Sequence, residues 1–203
     1  MELKTLIKAG YPLLSAKTQE PLRFAVAAAG AGNGSRRVVQ WDAGRGFQEI
    51  GGRQGFEELD PFTLPDRAAA MPGSIWILFN YHFFIKEPAV IQAIQNNLPT
   101  YKAQAITLII VSPGFEAPPE LARDIRAITF DLPGRDDLGA TLDALAAGQS
   151  IEVDPEERGQ IIDNLQGLTL EEAENALAWG LVTDRKFDPA TIGKVKGQMV
   201  ENS

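Results

Sequence analysis

The chain has 203 residues, 44% of them hydrophobic and 23% charged, a balance that supports one α/β domain with a small appendage or two small domains. Its formal net charge of -8 argues against nucleic acids and anionic membranes as partners, because both are negatively charged. The absence of cysteine excludes disulfides, thiolate metal sites and thiol nucleophiles, and it fits the cytoplasmic location that we expect from the lack of a signal peptide or a membrane-spanning run.

The first part of the chain alternates strand patterns with helix patterns. Short apolar runs predict five strands, over residues 12–16, 37–41, 74–79, 105–112 and 127–132. Helices are predicted over residues 1–8 and 20–29, from Asp66, from Pro88, and over residues 118–124. Residues 42–65 are rich in glycine and polar side chains and predict a long loop with helical fragments. The alternation predicts an α/β fold with a parallel, helix-flanked sheet.

Strand patterns end near Pro133-Gly134, and only helix patterns follow. Asp154-Pro155 and Asp188-Pro189 are helix starts, and Thr169 with Glu172 predicts a capping box. We therefore predict two domains: an α/β core over residues 1–133 and a small all-helical lid with a C-terminal tail over residues 134–203.

Six sequence segments in chain order resemble the N-terminal half of a family of AAA-type ATPases from plastid, cyanobacterial and other bacterial genomes. These segments are LKTLIKAGYPLL, VVQWDAGRGF, IWILFNYHFFIKEPAVI, LIIVSPGFEAPPEL, ITFDLP and GLTLEEAENAL. The resemblance covers nearly the whole chain and implies a degenerate AAA/P-loop-like module, which a complete AAA module follows in that family. It also implies, with the right-handed crossover rule, a five-stranded parallel sheet in the order 5-1-4-3-2. The final KVKGQMVENS looks like the approach to the second module, so we expect a fragment or a natural truncated relative.

A working ATPase needs a P-loop, a turn of backbone N–H groups with a lysine and a hydroxyl in the pattern G-x-x-x-x-G-K-[ST]. The sequence contains no such pattern. After the first strand, Lys17-Thr18 matches only the end of the motif, and we favour an exposed turn there. The glycine run Gly30, Gly32 and Gly34 follows a helix and lacks the G-x-G-x-x-G spacing, so we interpret it as a connector.

Other groups of a nucleotide site are also missing from their expected places. The third strand ends at Asn80, where an ATPase requires a metal-binding acid and where the resemblance implies aspartate. The fourth ends at Ser112, the position of a polar sensor residue. Glu171 and Glu172 stand in the lid where an arginine would meet the γ-phosphate. We therefore predict no ATPase activity for this chain alone, no cofactor and no metal.

The remaining ionisable groups suggest little catalysis. His82 is the only histidine, which excludes a histidine-based triad or a multi-histidine metal site, and we favour a structural, hydrogen-bonded role. Five aspartates could supply a carboxylate pair for acid–base catalysis: Asp60, Asp66, Asp131, Asp136 and Asp137. The last three lie where the sheet meets the lid, although acids at that place usually mark a helix start. A stand-alone enzyme that uses these aspartates is therefore a third alternative beside the two functions below.

Two classes of function remain. The leading hypothesis is a non-catalytic regulatory or interaction module, which packs on the following ATPase domain or, as a homo-oligomer, on neighbouring subunits. The alternative is an unconventional nucleotide-binding protein that uses the sheet–lid cleft with Lys17, Asn80 and Ser112. Because aromatic and arginine side chains often anchor interfaces, the partner-contact candidates are Trp41, Arg45, Phe47, Tyr81 and His82. A competing interpretation is that Trp41 and Phe47 only fold their loop onto the core.

Overall fold

The computed structural model describes residues 3–32, 36–52 and 54–201. The chain forms two compact units, Met1–Phe130 and Asp131–Ser203. The first unit contains, in chain order, α1 (Leu3–Lys8), β1 (Leu13–Lys17), α2 (Pro21–Ala31), β2 (Arg37–Asp42), β3 (Gly46–Glu49), α3 (Leu64–Ala69), β4 (Ser74–Phe79), a 3₁₀ turn (Tyr81–Phe83), α4 (Pro88–Ala103), β5 (Thr107–Ser112) and β6 (Ile125–Thr129). The predicted glycine turn falls partly on residues 33–35, so Gly34 lies outside the described residues.

The sheet has the order β3-β2-β4-β5-β1-β6. All pairings are parallel except that of β2 with β3. Numbered as predicted from sequence, the five parallel strands have the order 5-1-4-3-2, so the expected topology is confirmed. The predicted strand count is wrong by one, because residues 42–65 contain the additional strand β3.

β3 is the second arm of a hairpin that a simple strand pattern does not reveal. Asp42 Oδ1 accepts hydrogen bonds from the backbone N–H groups of Gly44 (3.0 Å) and Arg45 (2.9 Å), which closes the turn. Gly46 then adopts a φ of +86°, a conformation that glycine adopts without steric strain. The hairpin pairs Trp41 with Phe47.

Both faces of the sheet are covered, which explains the continuous apolar runs of β4 and β5. Successive side chains of a strand point to opposite faces, and the two apolar clusters follow that alternation. One cluster contains Leu13, Trp76, Leu78, Leu108 and Ile110. The other contains Leu14, Ile75, Ile77, Ile109 and Val111.

Several predicted bounds differ from the structure. The strand predicted over residues 105–112 is Thr107–Ser112. The last strand, predicted over residues 127–132, is Ile125–Thr129, because its register with β1 begins where Ile125 pairs with Leu13. The helix predicted from Asp66 begins at Leu64, so Asp66 lies in its first turn and does not cap it. Residues 118–124 form successive turns instead of a helix, with i to i+3 hydrogen bonds from Leu121 to Pro118 and from Asp124 to Leu121.

The second unit is helical, with α5 (Arg135–Gln149), α6 (Pro155–Leu165), α7 (Leu170–Asp184) and α8 (Pro189–Glu201). Local capping explains where three of these helices begin. Asp154 accepts from the N–H of Glu156 at 2.8 Å, Thr169 and Glu172 form the predicted capping box, and Asp188 accepts from Thr191 N–H at 3.0 Å. The helices enclose their own apolar core, which includes Leu138, Leu142, Ile161, Leu165, Leu177 and Ile192.

Candidate functional site

A cleft of about 330 Å³ opens at the carboxyl ends of the parallel strands in the first unit. Open α/β sheets bind ligands at this edge, so it is the candidate site of this unit. Its lining combines apolar and polar groups from four connections, among them Thr18, Leu22, Arg45, Phe79, Asn80 and Ser112. We refer to this edge of the sheet as the rim.

The connection from β1 to α2 is only three residues long, Thr18-Gln19-Glu20. Its backbone is already engaged: Thr18 N–H donates to the carbonyl of Ser112 at 3.0 Å, and Glu20 N–H donates to Thr18 Oγ1 at 2.9 Å. A phosphate-binding loop needs a longer turn whose amides point at the ligand. The three-residue connection between β1 and α2 is too short to form such a turn.

The Glu20 carboxylate lies at the start of α2, and its side chain is only 7% exposed. It accepts a hydrogen bond from Arg23 Nε at 2.8 Å and forms an ion pair with Arg23 Nη2 at 2.6 Å. The Arg23 guanidinium also lies over the ring of Phe130, 4.3 Å from its centroid. The Glu20 carboxylate therefore lies beside the N-terminus of α2, the place where P-loop proteins bind phosphate.

Sequence reasoning missed the pair of Glu20 and Arg23. The available signal was an acid immediately before Pro21, at the start of a helix, with an arginine three residues after it.

Asn80 follows β4 and has a φ of 57°, in the left-handed region that asparagine tolerates better than most residues. Its N–H donates to the carbonyl of Val111 at 2.9 Å, and its carbonyl accepts from Phe83 N–H at 3.2 Å. The position of the expected metal-binding acid is thus occupied by a neutral residue that turns the chain from β4 into the 3₁₀ turn.

Ser112 and Lys17 end neighbouring strands and are paired in the β-sheet register. Ser112 is buried, and its hydroxyl donates to the carbonyl of Gly114 at 3.2 Å. Lys17 is exposed, whereas the cleft lining includes Ser112 and Asn80 but not Lys17. Two of the three candidate nucleotide-binding residues, Asn80 and Ser112, therefore line the same cleft.

Three of the predicted partner contacts, Trp41, Phe47 and Tyr81, are buried in the core. Trp41 Nε1 donates to the carbonyl of Leu59 at 2.9 Å, and its ring meets that of Tyr81 edge-on at 5.4 Å. The Tyr81 hydroxyl donates to the carbonyl of Pro61 at 2.7 Å, and burial raises the pKa of Tyr81 well above its ordinary value. These contacts favour the interpretation that the aromatic residues fold the loop onto the sheet.

Arg45 and His82 are the candidates that reach the surface. Arg45 Nε donates to Asp42 Oδ2 at 2.7 Å, and its guanidinium lies 4.4 Å from the ring centroid of Phe56. His82 stacks on Phe83 with the ring centroids 4.1 Å apart, and Phe83 itself is 71% exposed. Nδ1 of His82 is buried with no hydrogen-bond partner among the described residues, so the expected hydrogen-bonded role of this histidine stays a prediction. Burial lowers the pKa of this imidazole.

Asp136 and Asp137 lie in the first turn of α5, where acids interact favourably with the helix dipole. Asp137 Oδ2 accepts from the N–H of Gly134 at 3.1 Å. Within residues 3–32, 36–52 and 54–201 no group of three or more His, Cys, Asp or Glu side chains is arranged to hold a metal ion. In the same part of the chain, no helix has the length and apolar character that crossing a membrane requires.

Comparisons with known proteins bear on the whole chain. A family model described as the N-terminal domain of SpoVK-like AAA ATPases matches residues 1–130, and one described as their second domain matches residues 136–203. An uncharacterised AAA domain-containing protein, ycf46, of Trieres chinensis is 24% identical over 196 residues. That match includes 94% of this chain but only 39% of the relative.

Solved structures show the same fold. The RuvB Holliday junction branch migration motor of Thermotoga maritima is similar with a TM-score of 0.58 and 12% identity, over 95% of this chain and 64% of that one. Domain III of the replication initiation protein DnaA from the same organism is similar with a TM-score of 0.53 and 11% identity, over 95% of this chain and 87% of that one. The resemblance stated from sequence is confirmed, and the chain belongs to the SpoVK-like AAA ATPase family, of which it comprises the N-terminal and second domains.

Proposed function

We propose that this chain is a non-catalytic regulatory and interaction module of an AAA-type ATPase. One observation carries the proposal: the β1–α2 connection has three residues and ends in a buried carboxylate, Glu20, which is paired with Arg23. The pair of Glu20 and Arg23 lies beside the N-terminus of α2, and the three-residue connection before it provides no loop of backbone N–H groups for a phosphate. At the end of β4, Asn80 supplies no negative charge to hold Mg²⁺.

In this proposal residues 1–133 form the core and residues 134–203 form the lid of the degenerate module. The partner is the ATPase domain that follows in longer relatives, or a neighbouring copy in a homo-oligomer. The rim offers exposed groups that suit such a contact. Leu22 is 72% exposed, Phe83 is 71% exposed, and the side chain of Arg45 is 60% exposed. Apolar and arginine side chains of this kind often anchor interfaces.

The catalytic half of the proposal is tested with the purified chain and ATP plus Mg²⁺. We expect no steady hydrolysis, and the same background rate from a Lys17→Ala variant. Sustained turnover that Lys17→Ala abolishes would contradict the proposal.

An alternative, unconventional nucleotide binding without hydrolysis, is favoured by one observation: Asn80 and Ser112 line the same cleft. Titration with ATP distinguishes the two functions. The alternative requires micromolar binding that Asn80→Ala weakens, whereas the interaction module requires no saturable binding.

The interaction half is tested by measuring the affinity of the chain for the ATPase module of a longer relative, and for itself. Arg45→Ala and Phe83→Ser are expected to weaken binding, because both remove exposed rim groups. Tyr81→Ala is unsuitable, because Tyr81 is buried and its loss would disturb the fold. Arg123→Ala, at an exposed position just before β6 and therefore away from the rim, is the matched control. Unchanged affinity in both rim variants would remove the rim as the contact surface.

A further inference from the structure

The negative charge of the chain is distributed unevenly. Residues 131–203 contain 15 acidic and 6 basic residues, a formal charge of -9, whereas residues 1–130 contain 12 acidic and 13 basic residues, a formal charge of +1. Together these charges give the -8 of the whole chain. The helical unit is therefore the acidic part of the protein.

Within that unit the acids are concentrated in residues 131–174, which contain 12 acidic residues and only two basic ones, Arg135 and Arg158. Both arginines already have acidic partners: Arg135 pairs with Asp163, and Arg158 pairs with Asp143 at 2.8 Å. With 12 acidic and two basic residues, the stretch has a net charge of -10, which produces a strongly negative potential around α5, α6 and the start of α7.

α7 carries large apolar side chains on its outer face, C-terminal to the acidic residues Glu171 and Glu172 of its first turn. Its inner face packs into the helical core through Ala173, Ala176, Leu177 and Gly180. On the outer face Trp179 is 60% exposed and Val182 is 86% exposed. Exposed Glu171, Asn175 and Ala178 extend the same stripe at helical spacing toward the N-terminus. We call the stripe Glu171, Asn175, Ala178, Trp179 and Val182 the α7 face.

We propose that the α7 face is a docking surface for a basic amphipathic helix of a partner protein. Its twelve-residue span extends roughly 16 Å along α7, which suits a helix laid against it. Tryptophan is among the residues that most often dominate binding energy, and Val182 continues the apolar contact. The acidic stretch selects for lysine and arginine on the partner and steers its approach, and the same charge disfavours nucleic acid and anionic lipid. This surface belongs to the second unit, so the proposal goes beyond the function proposed for the rim.

The fluorescence of Trp179 can report binding at the α7 face. Of its three tryptophans, Trp41 and Trp76 are 0% exposed, so an aqueous quencher such as acrylamide acts mainly on Trp179. The probe is a synthetic helix of about 18 residues built from leucine and lysine, long enough to be helical in water. Its control has glutamate in place of every lysine. The full chain is titrated with each peptide while the Trp179 emission and its quenching are followed.

The lysine probe is expected to shift the emission to the blue and to protect Trp179 from the quencher, with an affinity that falls as salt is added. Val182→Ser should weaken binding by about tenfold, the factor expected when a valine side chain is lost from a buried contact. Glu174→Gln, next to the α7 face, should weaken it less. Val26→Ser, at a position of the first unit that is 75% exposed, should leave it unchanged.

Three results would overturn the proposal. They are equal binding of the glutamate control, unchanged affinity in Val182→Ser, and protection of Trp179 that rises with protein concentration without any peptide, which would mean that a second copy covers the α7 face. Because the assay uses no ATPase module and no rim variant, its outcome is independent of the test of the proposed function.

Discussion

Gly46→Ala tests whether the β2–β3 hairpin holds the rim in place. Gly46 has a φ of +86°, and a Cβ added there would overlap the carbonyl oxygen of Glu57 and lie 2.8 Å from its carbonyl carbon. The same backbone segment exchanges two hydrogen bonds with β3, Phe47 N–H to Glu57 O and Glu57 N–H to Phe47 O, both at 2.8 Å. The substitution therefore strains the backbone and pushes this bridge apart.

The expected loss of unfolding free energy follows from two contributions. An L-residue in the left-handed region costs about 1–2 kcal/mol, and each lost backbone hydrogen bond contributes about 0.5–1.5 kcal/mol. Gly46→Ala should therefore destabilise the first unit by roughly 2–5 kcal/mol. Two glycines of the loop that follows β3 provide controls. Gly51 has a φ of +80° and open space around its Cβ position, so Gly51→Ala should cost only about 1–2 kcal/mol. Gly55 has open space and no positive φ, so Gly55→Ala should be nearly neutral.

The assay is urea unfolding followed by tryptophan fluorescence in a Trp179→Phe background. Both remaining tryptophans, Trp41 and Trp76, then belong to the first unit and are fully buried. The reasoning is refuted if Gly46→Ala is no less stable than Gly51→Ala, because the bridge to Glu57 would then contribute nothing. If the loss occurs, the turn that carries Arg45 is displaced, and binding through the rim should fall with it.

The remaining predictions concern the core, a helix cap and pH. Ile77→Ala and Ile109→Ala, both at positions with 0% exposure, should each destabilise the chain by about 2–5 kcal/mol in urea unfolding; losses below about 0.5 kcal/mol at both would mean that the strands are misplaced. Thr169→Ala removes the cap of α7 and should cost about 0.5–2 kcal/mol, with Thr183→Ala at an exposed position as the control. The hydrogen bond from the Thr191 backbone holds the pKa of Asp188 below its ordinary value, so its stabilisation is present above the unfolded pKa of about 3.9 and is lost as the pH falls through the lower folded pKa. Asp188→Asn should flatten that acid limb of the stability curve, and an unchanged limb would contradict the assignment.

Much of the fold could be predicted from sequence because the decisive signals are local or repetitive. The apolar runs of β4 and β5 predict buried parallel strands, and the helix starts at Asp154 and Thr169 are encoded within four residues of each helix. The β2–β3 hairpin was missed because its strands are short and its stability depends on a distant partner, the Glu57 backbone. Strand bounds near β6 were also missed, because an edge strand extends only as far as its neighbour pairs with it.

The candidate site divides in the same way. The sequence itself shows that the P-loop pattern is absent and that the neutral residue Asn80 follows the third predicted strand. Both findings need only the residue type at a position that the strand pattern locates. Two features of the site could not be predicted from sequence: the hydrogen bond of Thr18 within the β1–α2 connection, and the ion pair of Glu20 with Arg23. Many side-chain arrangements are compatible with the same sequence, and only the folded structure selects among them. The assignment of partner contacts to particular residues stays a prediction.

Residue types and their order establish which chemistry the chain lacks and where its charge lies: it has no cysteine, one histidine and no phosphate-loop pattern, and its acidic residues are concentrated after residue 130. The availability of each aromatic side chain to a partner depends instead on how the chain packs. Trp41 and Trp179 are the same residue type, yet one is 0% exposed and the other 60%. The reason is physical: burial depends on neighbours brought together from distant parts of the chain, such as Tyr81 and Leu59 around Trp41, and no local pattern specifies them.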